Sequence, residues 1–97
     1  MLKFQNKTVL ITGGGTGIGM TVAKKFAENG ANIIILGRRP GPLESTKKML
    51  EGVIDEKKSN GSVQIFPGTD VSDAEAITSV FSEIEKQGTG VDIVINN

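Results

Sequence analysis

Four short apolar runs constrain the fold of this chain more than any other feature of its sequence. They cover residues 8–11, 32–36, 63–66 and 92–95 and are rich in isoleucine and valine. β-branched side chains favour strands, and the runs are nearly continuous instead of alternating between apolar and polar residues. Such runs are typical of strands buried on both faces, as in a parallel sheet covered by helices. The sequence therefore predicts four buried parallel strands.

Apolar residues between the runs recur at the spacing of amphipathic helices. The three predicted buried faces consist of Ile18, Val22, Ala23, Phe26 and Ala27 in the first helix, Leu43, Leu50, Val53 and Ile54 in the second, and Ala74, Ile77, Phe81 and Ile84 in the third. Residues 37–42 are predicted to form a loop, and Ser72 is predicted to cap the third helix, with Glu75 bonding back to it. The order β-α-β-α-β-α-β predicts an α/β layered sheet with right-handed crossovers, within a single domain.

The composition excludes several kinds of site. The 97 residues include no His, Cys, Tyr or Trp. The usual zinc sites, a thiol nucleophile, a disulfide framework and a Ser-His-Asp triad therefore cannot be built, and we expect no metal. Eleven Lys and Arg residues balance eleven Asp and Glu residues, which leaves no broad basic field for nucleic acid. No apolar stretch approaches about 20 residues and no secretory signal is apparent, so we expect no membrane association and a cytoplasmic location.

A glycine-rich segment follows the first run directly. Residues 12–19 read T-G-G-G-T-G-I-G, with five glycines in the seven positions from 13 to 19. Glycine lets backbone N–H groups approach an anion closely, and the start of a helix supplies free N–H donors with a partial positive charge. The segment therefore predicts a phosphate-binding turn, with a glycine-rich turn that binds nothing as the alternative. The P-loop pattern is excluded because it requires Lys where Met20 stands.

The spacing of three glycines matches the pattern T-G-x-x-x-G-x-G, with Gly13, Gly17 and Gly19. Asp70-Val71 follows the third run, and residues 92–97 read D-I-V-I-N-N, like the start of an N-N-A-G motif. In these features the chain resembles the short-chain dehydrogenase/reductase family along essentially all of its length. The resemblance implies a Rossmann-like, three-layer, doubly wound parallel sheet with strand order 3-2-1-4. Residues 1–97 would form the N-terminal part of a single NAD(P)-binding domain, an incomplete sheet of four strands with three helices.

The resemblance also implies roles in binding the cofactor. Backbone groups of Gly13, Gly15, Thr16, Gly17 and Ile18 would hold the pyrophosphate and the adenine ribose, and Gly19 would let helix and strand pack closely. Asp70 would accept a hydrogen bond from the adenine amino group, with the Val71 backbone beside it. Asn97 would contact the adenosine ribose, and Asn96 would tie adjacent strands together. The alternatives are a turn residue for Asp70 and a polar strand end for the two asparagines.

The end of the second run indicates which dinucleotide is preferred. An NAD site usually places an acidic residue there, which binds the ribose 2′-OH, whereas this chain has Gly37 followed by Arg38 and Arg39. A guanidinium complements a 2′-phosphate through charge-assisted hydrogen bonds and can stack on adenine. The sequence therefore favours NADP(H), with NAD(H) possible, and makes Arg38 the main contact. A solvated loop is the alternative for the two arginines.

The family's catalytic groups have no counterpart in this sequence. The family transfers a hydride to or from a carbonyl, an alcohol or an activated double bond, using a tyrosine as acid or base, and this chain has no tyrosine. We therefore predict a cofactor-binding fragment of an NADP(H)-dependent oxidoreductase, inactive by itself and without catalytic residues, whose intact parent takes a small-molecule substrate. A non-catalytic NAD(P)-binding or sensor module is the alternative. The last strand would leave an open apolar edge, which favours self-association or a homo-oligomer.

Overall fold

Helices and strands alternate along the chain in the predicted order. The computed structural model describes residues 3–13 and 17–97. Its elements are β1 Thr8–Thr12, α1 Gly17–Glu28, β2 Asn32–Leu36, α2 Pro40–Lys57, β3 Val63–Phe66, α3 Ala74–Lys86 and β4 Ile93–Asn96. Each apolar run forms one strand, to within a residue at either end.

β1 lies inside the sheet, between β2 and β4. The four strands are parallel and follow the order β3-β2-β1-β4, which confirms the predicted order. Val9 of β1 pairs with Ile33 of β2 on one side and with Ile93 of β4 on the other. The chain therefore adds β2 and β3 on one side of β1 and then returns to add β4 on its other side. In open α/β sheets, ligands bind beyond the carboxyl ends of the strands at such a reversal.

Alternate residues of the strands pack against different helices, which produces three layers. On one face, odd-numbered residues such as Val9 and Ile33 form a buried cluster with residues of α1 and α2. On the other face, even-numbered residues such as Leu10 and Ile34 pack with Val80 of α3. Full burial of an aliphatic side chain of this size contributes about 1.5–3 kcal/mol. The predicted three-layer α/β architecture is confirmed.

Three predicted core positions on the helices are wrong, because Ile18, Ala74 and Phe81 are exposed. Ile18 is 75% exposed, because the buried side of α1 is formed by Gly19, Ala23 and Ala27. These three positions are four residues apart and share one face, and Ile18 lies about 100° away from Gly19 around the helix. Phe81 is 39% exposed for the same reason, since the buried residues of α3 are its neighbour Val80 and Ile84.

Two predicted helix beginnings also need correction. α2 begins at Pro40, so the second half of the predicted loop 37–42 is helical, and Pro40 takes the first-turn position where its missing N–H costs nothing. α3 is capped by Asp73 and not by Ser72. The Asp73 carboxylate accepts hydrogen bonds from the backbone N–H groups of Glu75 and Ala76, at 3.0 and 3.4 Å. Ser72 bonds to Asp70 instead.

Burial on both faces holds for the two inner strands, is only partial in β3 and fails in β4. All five residues of β1 are buried, as are the last four of β2. β4 alternates between partly buried and exposed residues, and Val94 is 57% exposed. The predicted open apolar edge is therefore present in the described residues. Among those residues, no helix has both the length and the apolar character required to cross a lipid bilayer.

Candidate functional site

A cleft of about 360 Å³ lies beyond the carboxyl ends of the strands. It is lined by Thr12, Gly13, Leu36, Gly37, Arg38, Thr69, Asp70, Val71, Ser72 and Asn97. β1 and β2 end in this cleft, Asn97 enters it directly after β4, and the loop after β3 closes one side. Five predicted site residues therefore meet in one place, although they come from four separate parts of the sequence. Sequence reasoning gave Thr12, Gly37, Thr69 and Ser72 no role in this site, and expected Ser72 only as a helix cap.

Gly13 provides an exposed stretch of backbone at the end of β1. Its φ of +67° is in the left-handed region that glycine adopts without strain. Its N–H donates to the Leu36 carbonyl at 3.0 Å, which anchors the turn to β2. A Cβ at this position would lie 3.2 Å from Nδ2 of Asn97. The turn thus favours glycine for its conformation, and a Cβ would also crowd the Asn97 side chain.

The Thr12 hydroxyl joins the ends of β1 and β4. It donates to Oδ1 of Asn96 at 3.1 Å and accepts from the backbone N–H of Asn97 at 3.0 Å. Asn96 therefore ties neighbouring strands together, as predicted. The Asn97 side chain adds a further bond to the turn, as its Nδ2 donates to the Gly13 carbonyl at 3.2 Å. Thr12 could have been found from its position, because it is the last residue of a buried strand and immediately precedes the glycines.

Arg38 and Asp70 form an ion pair at the rim of the cleft. Nη2 of Arg38 donates to Oδ2 of Asp70 at 2.8 Å, and the two side chains are 72% and 40% exposed. Arg38 follows β2 and Asp70 follows β3, and the two strands are neighbours in the sheet. Solvent screens a pair this exposed, so its contribution to folding is small. Its main effect is to orient the guanidinium at the edge of the cleft.

Ser72 holds the other oxygen of the Asp70 carboxylate. Oδ1 of Asp70 accepts from the Ser72 hydroxyl at 2.7 Å and from the Ser72 backbone N–H at 2.9 Å. These two hydrogen bonds are the main reason that the pKa of Asp70 lies below its ordinary value; desolvation opposes them, and the charge and hydrogen bond of Arg38 lower the pKa by smaller amounts. Asp70 is therefore a carboxylate at neutral pH, with each oxygen engaged by a different partner.

The remaining predicted site residues lie at the margins of this cleft or outside the described part of the chain. Val71 lines the cleft and is 49% exposed. Arg39 is exposed and precedes α2 as its N-cap residue, with no hydrogen bond from its side chain to the helix. Gly17 and Ile18 begin α1 and are exposed, whereas Gly19 is buried. Gly15 and Thr16 lie outside the described residues.

These residues fit the adenosine half of a phosphorylated dinucleotide. The first turn of α1 contains no acidic residue, so its free N–H groups present an uncompensated partial positive charge to an anion. The backbone of Gly13 carries no side chain that would block an approach from the cleft. Arg38 adds a full positive charge, and only one of its five N–H donors is engaged by Asp70. The donor set therefore matches two separated anionic groups, one near α1 and one near Arg38.

The chain is similar in sequence to short chain dehydrogenases. The family model described as short chain dehydrogenase matches residues 7–97. A short chain dehydrogenase from Pseudocercospora fijiensis is 34% identical over 94 residues, which cover 97% of this chain and 28% of that protein.

Solved structures of such enzymes share the fold. A short-chain type dehydrogenase/reductase from Mycobacterium ulcerans superposes with a TM-score of 0.85 at 29% identity, over 98% of this chain and 33% of that one. L-sorbose reductase from Gluconobacter frateurii, solved with NADPH and L-sorbose, superposes with a TM-score of 0.84 at 28% identity, over 99% of this chain and 34% of that one. This chain thus spans about a third of the length of these relatives, or less.

Proposed function

The chain belongs to the short chain dehydrogenase family, and on that basis we propose that its 97 residues bind NADP(H) as the cofactor-binding part of an oxidoreductase. When bound, NADP(H) supplies the nicotinamide that gives or takes the hydride. The residues of this chain hold the adenosine half of the cofactor at the cleft beyond β1 and β2. The family's tyrosine has no counterpart among these residues, so the proposal assigns them cofactor binding and no step of the chemistry.

The position of Arg38 carries the proposal. Its guanidinium lies at the rim of the cleft where β2 ends, the place at which dinucleotide sites recognise the ribose 2′ position. The segment directly after β2 has no acidic residue to accept from a 2′-OH, since Gly37 precedes Arg38 and Arg39 follows it. A 2′-phosphate would bond to the N–H groups that Asp70 leaves free. The NADPH-bound L-sorbose reductase is similar to this chain over the same region, which supports NADP(H) as the preferred cofactor.

The other residues of the cleft have separate roles in this proposal. The backbone of Gly13 and the first N–H groups of α1 face the pyrophosphate. Asp70 retains one free acceptor position on Oδ2, because a carboxylate has about four such positions and three are occupied. That position suits the adenine amino group. Asn97 contacts the adenosine ribose while it is held by Gly13.

Titration of the purified chain with NADPH and NADH, followed by cofactor fluorescence, tests the proposal. We expect tighter binding of NADPH than of NADH. Arg38→Asp should weaken NADPH binding by roughly 10- to 100-fold, through loss of charge-assisted hydrogen bonds and repulsion of the 2′-phosphate, and should improve NADH binding. Lys48→Asp makes the same charge reversal on the exposed side of α2 and should change neither the NADPH affinity nor the NADH affinity. The proposal is wrong if the chain binds neither dinucleotide or if Arg38→Asp leaves NADPH binding unchanged.

A further inference from the structure

We infer that Ser72 is a positioning residue that sets the preference for NADP(H) over NAD(H) by fixing Arg38 through Asp70. The inference rests on the proposed function and adds a residue to it. Ser72 lines the same cleft but reaches the guanidinium only through the Asp70 carboxylate. We call this connected set of side chains the rim triad; it consists of Arg38, Asp70 and Ser72.

The hydrogen bonds of the rim triad divide the carboxylate between two partners. Oδ1 of Asp70 receives the Ser72 hydroxyl at 2.7 Å and the Ser72 backbone N–H at 2.9 Å. Oδ2 receives Nη2 of Arg38 at 2.8 Å. A carboxylate held at one oxygen by two donors cannot rotate freely about its Cβ–Cγ bond. Its other oxygen therefore stays directed at Arg38.

The backbone of the two loops is already held together without this ion pair. The N–H of Gly68 donates to the Arg38 carbonyl at 3.1 Å, and the N–H of Thr69 donates to the Gly37 carbonyl at 2.9 Å. Thr69 is also buried, at 6% exposure. The loops after β2 and β3 thus continue the contact between the two strands. Because the backbone is fixed by other bonds, losing the Ser72 hydroxyl should leave the fold intact and release only the side chains.

The consequence for the cofactor follows from the length of the arginine side chain. Arg38 is 72% exposed, and its long side chain would lose conformational entropy when it binds a phosphate. Holding the guanidinium in place before binding reduces that cost, since ordering a side chain on binding weakens affinity. Only a cofactor with a 2′-phosphate makes use of the guanidinium as an anion partner. The effect of Ser72 should therefore be larger for NADPH than for NADH, which shares only the adenine contact of Asp70.

The test compares Ser72→Ala, Ser72→Thr and the parent chain in NADPH and NADH titrations. We expect Ser72→Ala to weaken NADPH binding about fivefold, the size expected from one hydrogen bond, with a smaller loss of NADH binding. Ser72→Thr retains the hydroxyl and should restore the NADPH affinity. Ser82→Ala, on the exposed side of α3, serves as the matched control and should bind both cofactors like the parent. Thermal unfolding should show a cooperative transition in every variant, with a midpoint only slightly lower in Ser72→Ala, which loses one exposed hydrogen bond.

The outcomes separate this inference from the proposed function. If the parent prefers NADPH and Ser72→Ala keeps the same ratio of NADPH to NADH affinity, the role of Ser72 is wrong and the proposed function stands. An equal loss of both affinities in Ser72→Ala would mean that Ser72 acts only on the structure of the loop, which also overturns the inference. A parent chain that binds neither dinucleotide overturns both.

Discussion

At the scale of single residues, the site depends on pairs that are distant in sequence and adjacent in space. Arg38 and Asp70 are separated by 32 positions, and Thr12 and Asn97 by 85. Each of these residues could be proposed from a motif, but their pairing could not, because it depends on which strands lie side by side. The rim triad was missed for this reason. Its only local signal is a serine two positions after an aspartate, a spacing at which an aspartate side chain commonly accepts from the backbone.

Acid titration of Asp70 should reveal the hydrogen bonds from Ser72. The folded chain holds the pKa of Asp70 below its ordinary value, mainly through the Ser72 hydroxyl. The resulting stability is present at neutral pH and is lost as the pH falls through the lowered pKa, because the unfolded chain then binds the proton more readily. NMR titration of the Asp70 carboxyl carbon should show its midpoint rising toward the ordinary value in Ser72→Ala. Ser82→Ala should leave that midpoint where it is, and an unchanged midpoint in Ser72→Ala would contradict the assignment.

At the scale of helices and strands, the sequence was informative about strands and less so about helix surfaces and ends. Continuous apolar runs define strands because a strand buried on both faces has no polar positions. The buried face of a helix is harder to predict, since adjacent apolar residues such as Val80 and Phe81 can both lie near it. Only the packing against β1 and β2 determines which of the two is buried. Helix caps are ambiguous when two capping residues are adjacent. Ser72 and Asp73 both qualify, and Ser72 is already engaged with Asp70.

Replacing Asp73 by Ala should destabilise the chain by about 1 kcal/mol, the usual effect of removing an N-cap side chain. Asp73 accepts from two N–H groups at the start of α3, and alanine leaves both without that partner. Urea unfolding followed by circular dichroism measures the change in the free energy of unfolding. Ser79→Ala, at an exposed position within α3, is the control and should change stability little. If Ser72→Ala destabilised the chain as much and Asp73→Ala did not, Ser72 would be the cap after all.

At the scale of the whole molecule, the two edges of the sheet are formed by β3 and β4, and they differ in how they are covered. Every residue of β3 is partly buried, and α2 contacts β3 along its length. β4 exposes Val94, which pairs in register with the buried Leu10 of β1. A sheet edge with exposed apolar side chains offers unpaired backbone groups to another chain. We therefore expect copies of the 97-residue chain to associate through β4.

Val94→Lys should reduce that self-association, since a charged side chain on an edge strand opposes pairing with another strand. Val94 is 57% exposed, so the lysine can reach water and the fold should be retained. Sedimentation velocity over a range of concentrations gives the distribution of species. Ser82→Lys adds the same charge on the exposed side of α3 and should associate like the parent. A parent chain that remains a compact monomer at high concentration would contradict this expectation.

The position of β1 between β2 and β4 also determines the order in which the sheet can be assembled. The backbone N–H of Thr8 bonds to the Asp92 side chain across 84 positions of sequence, and β1 meets β4 at comparable separations. Closing so long a loop carries a large entropic cost and slows folding. β1 and β2 are close in sequence and can pair early. During synthesis, one side of β1 therefore stays open to any other strand until residues Ile93–Asn96 of β4 have left the ribosome.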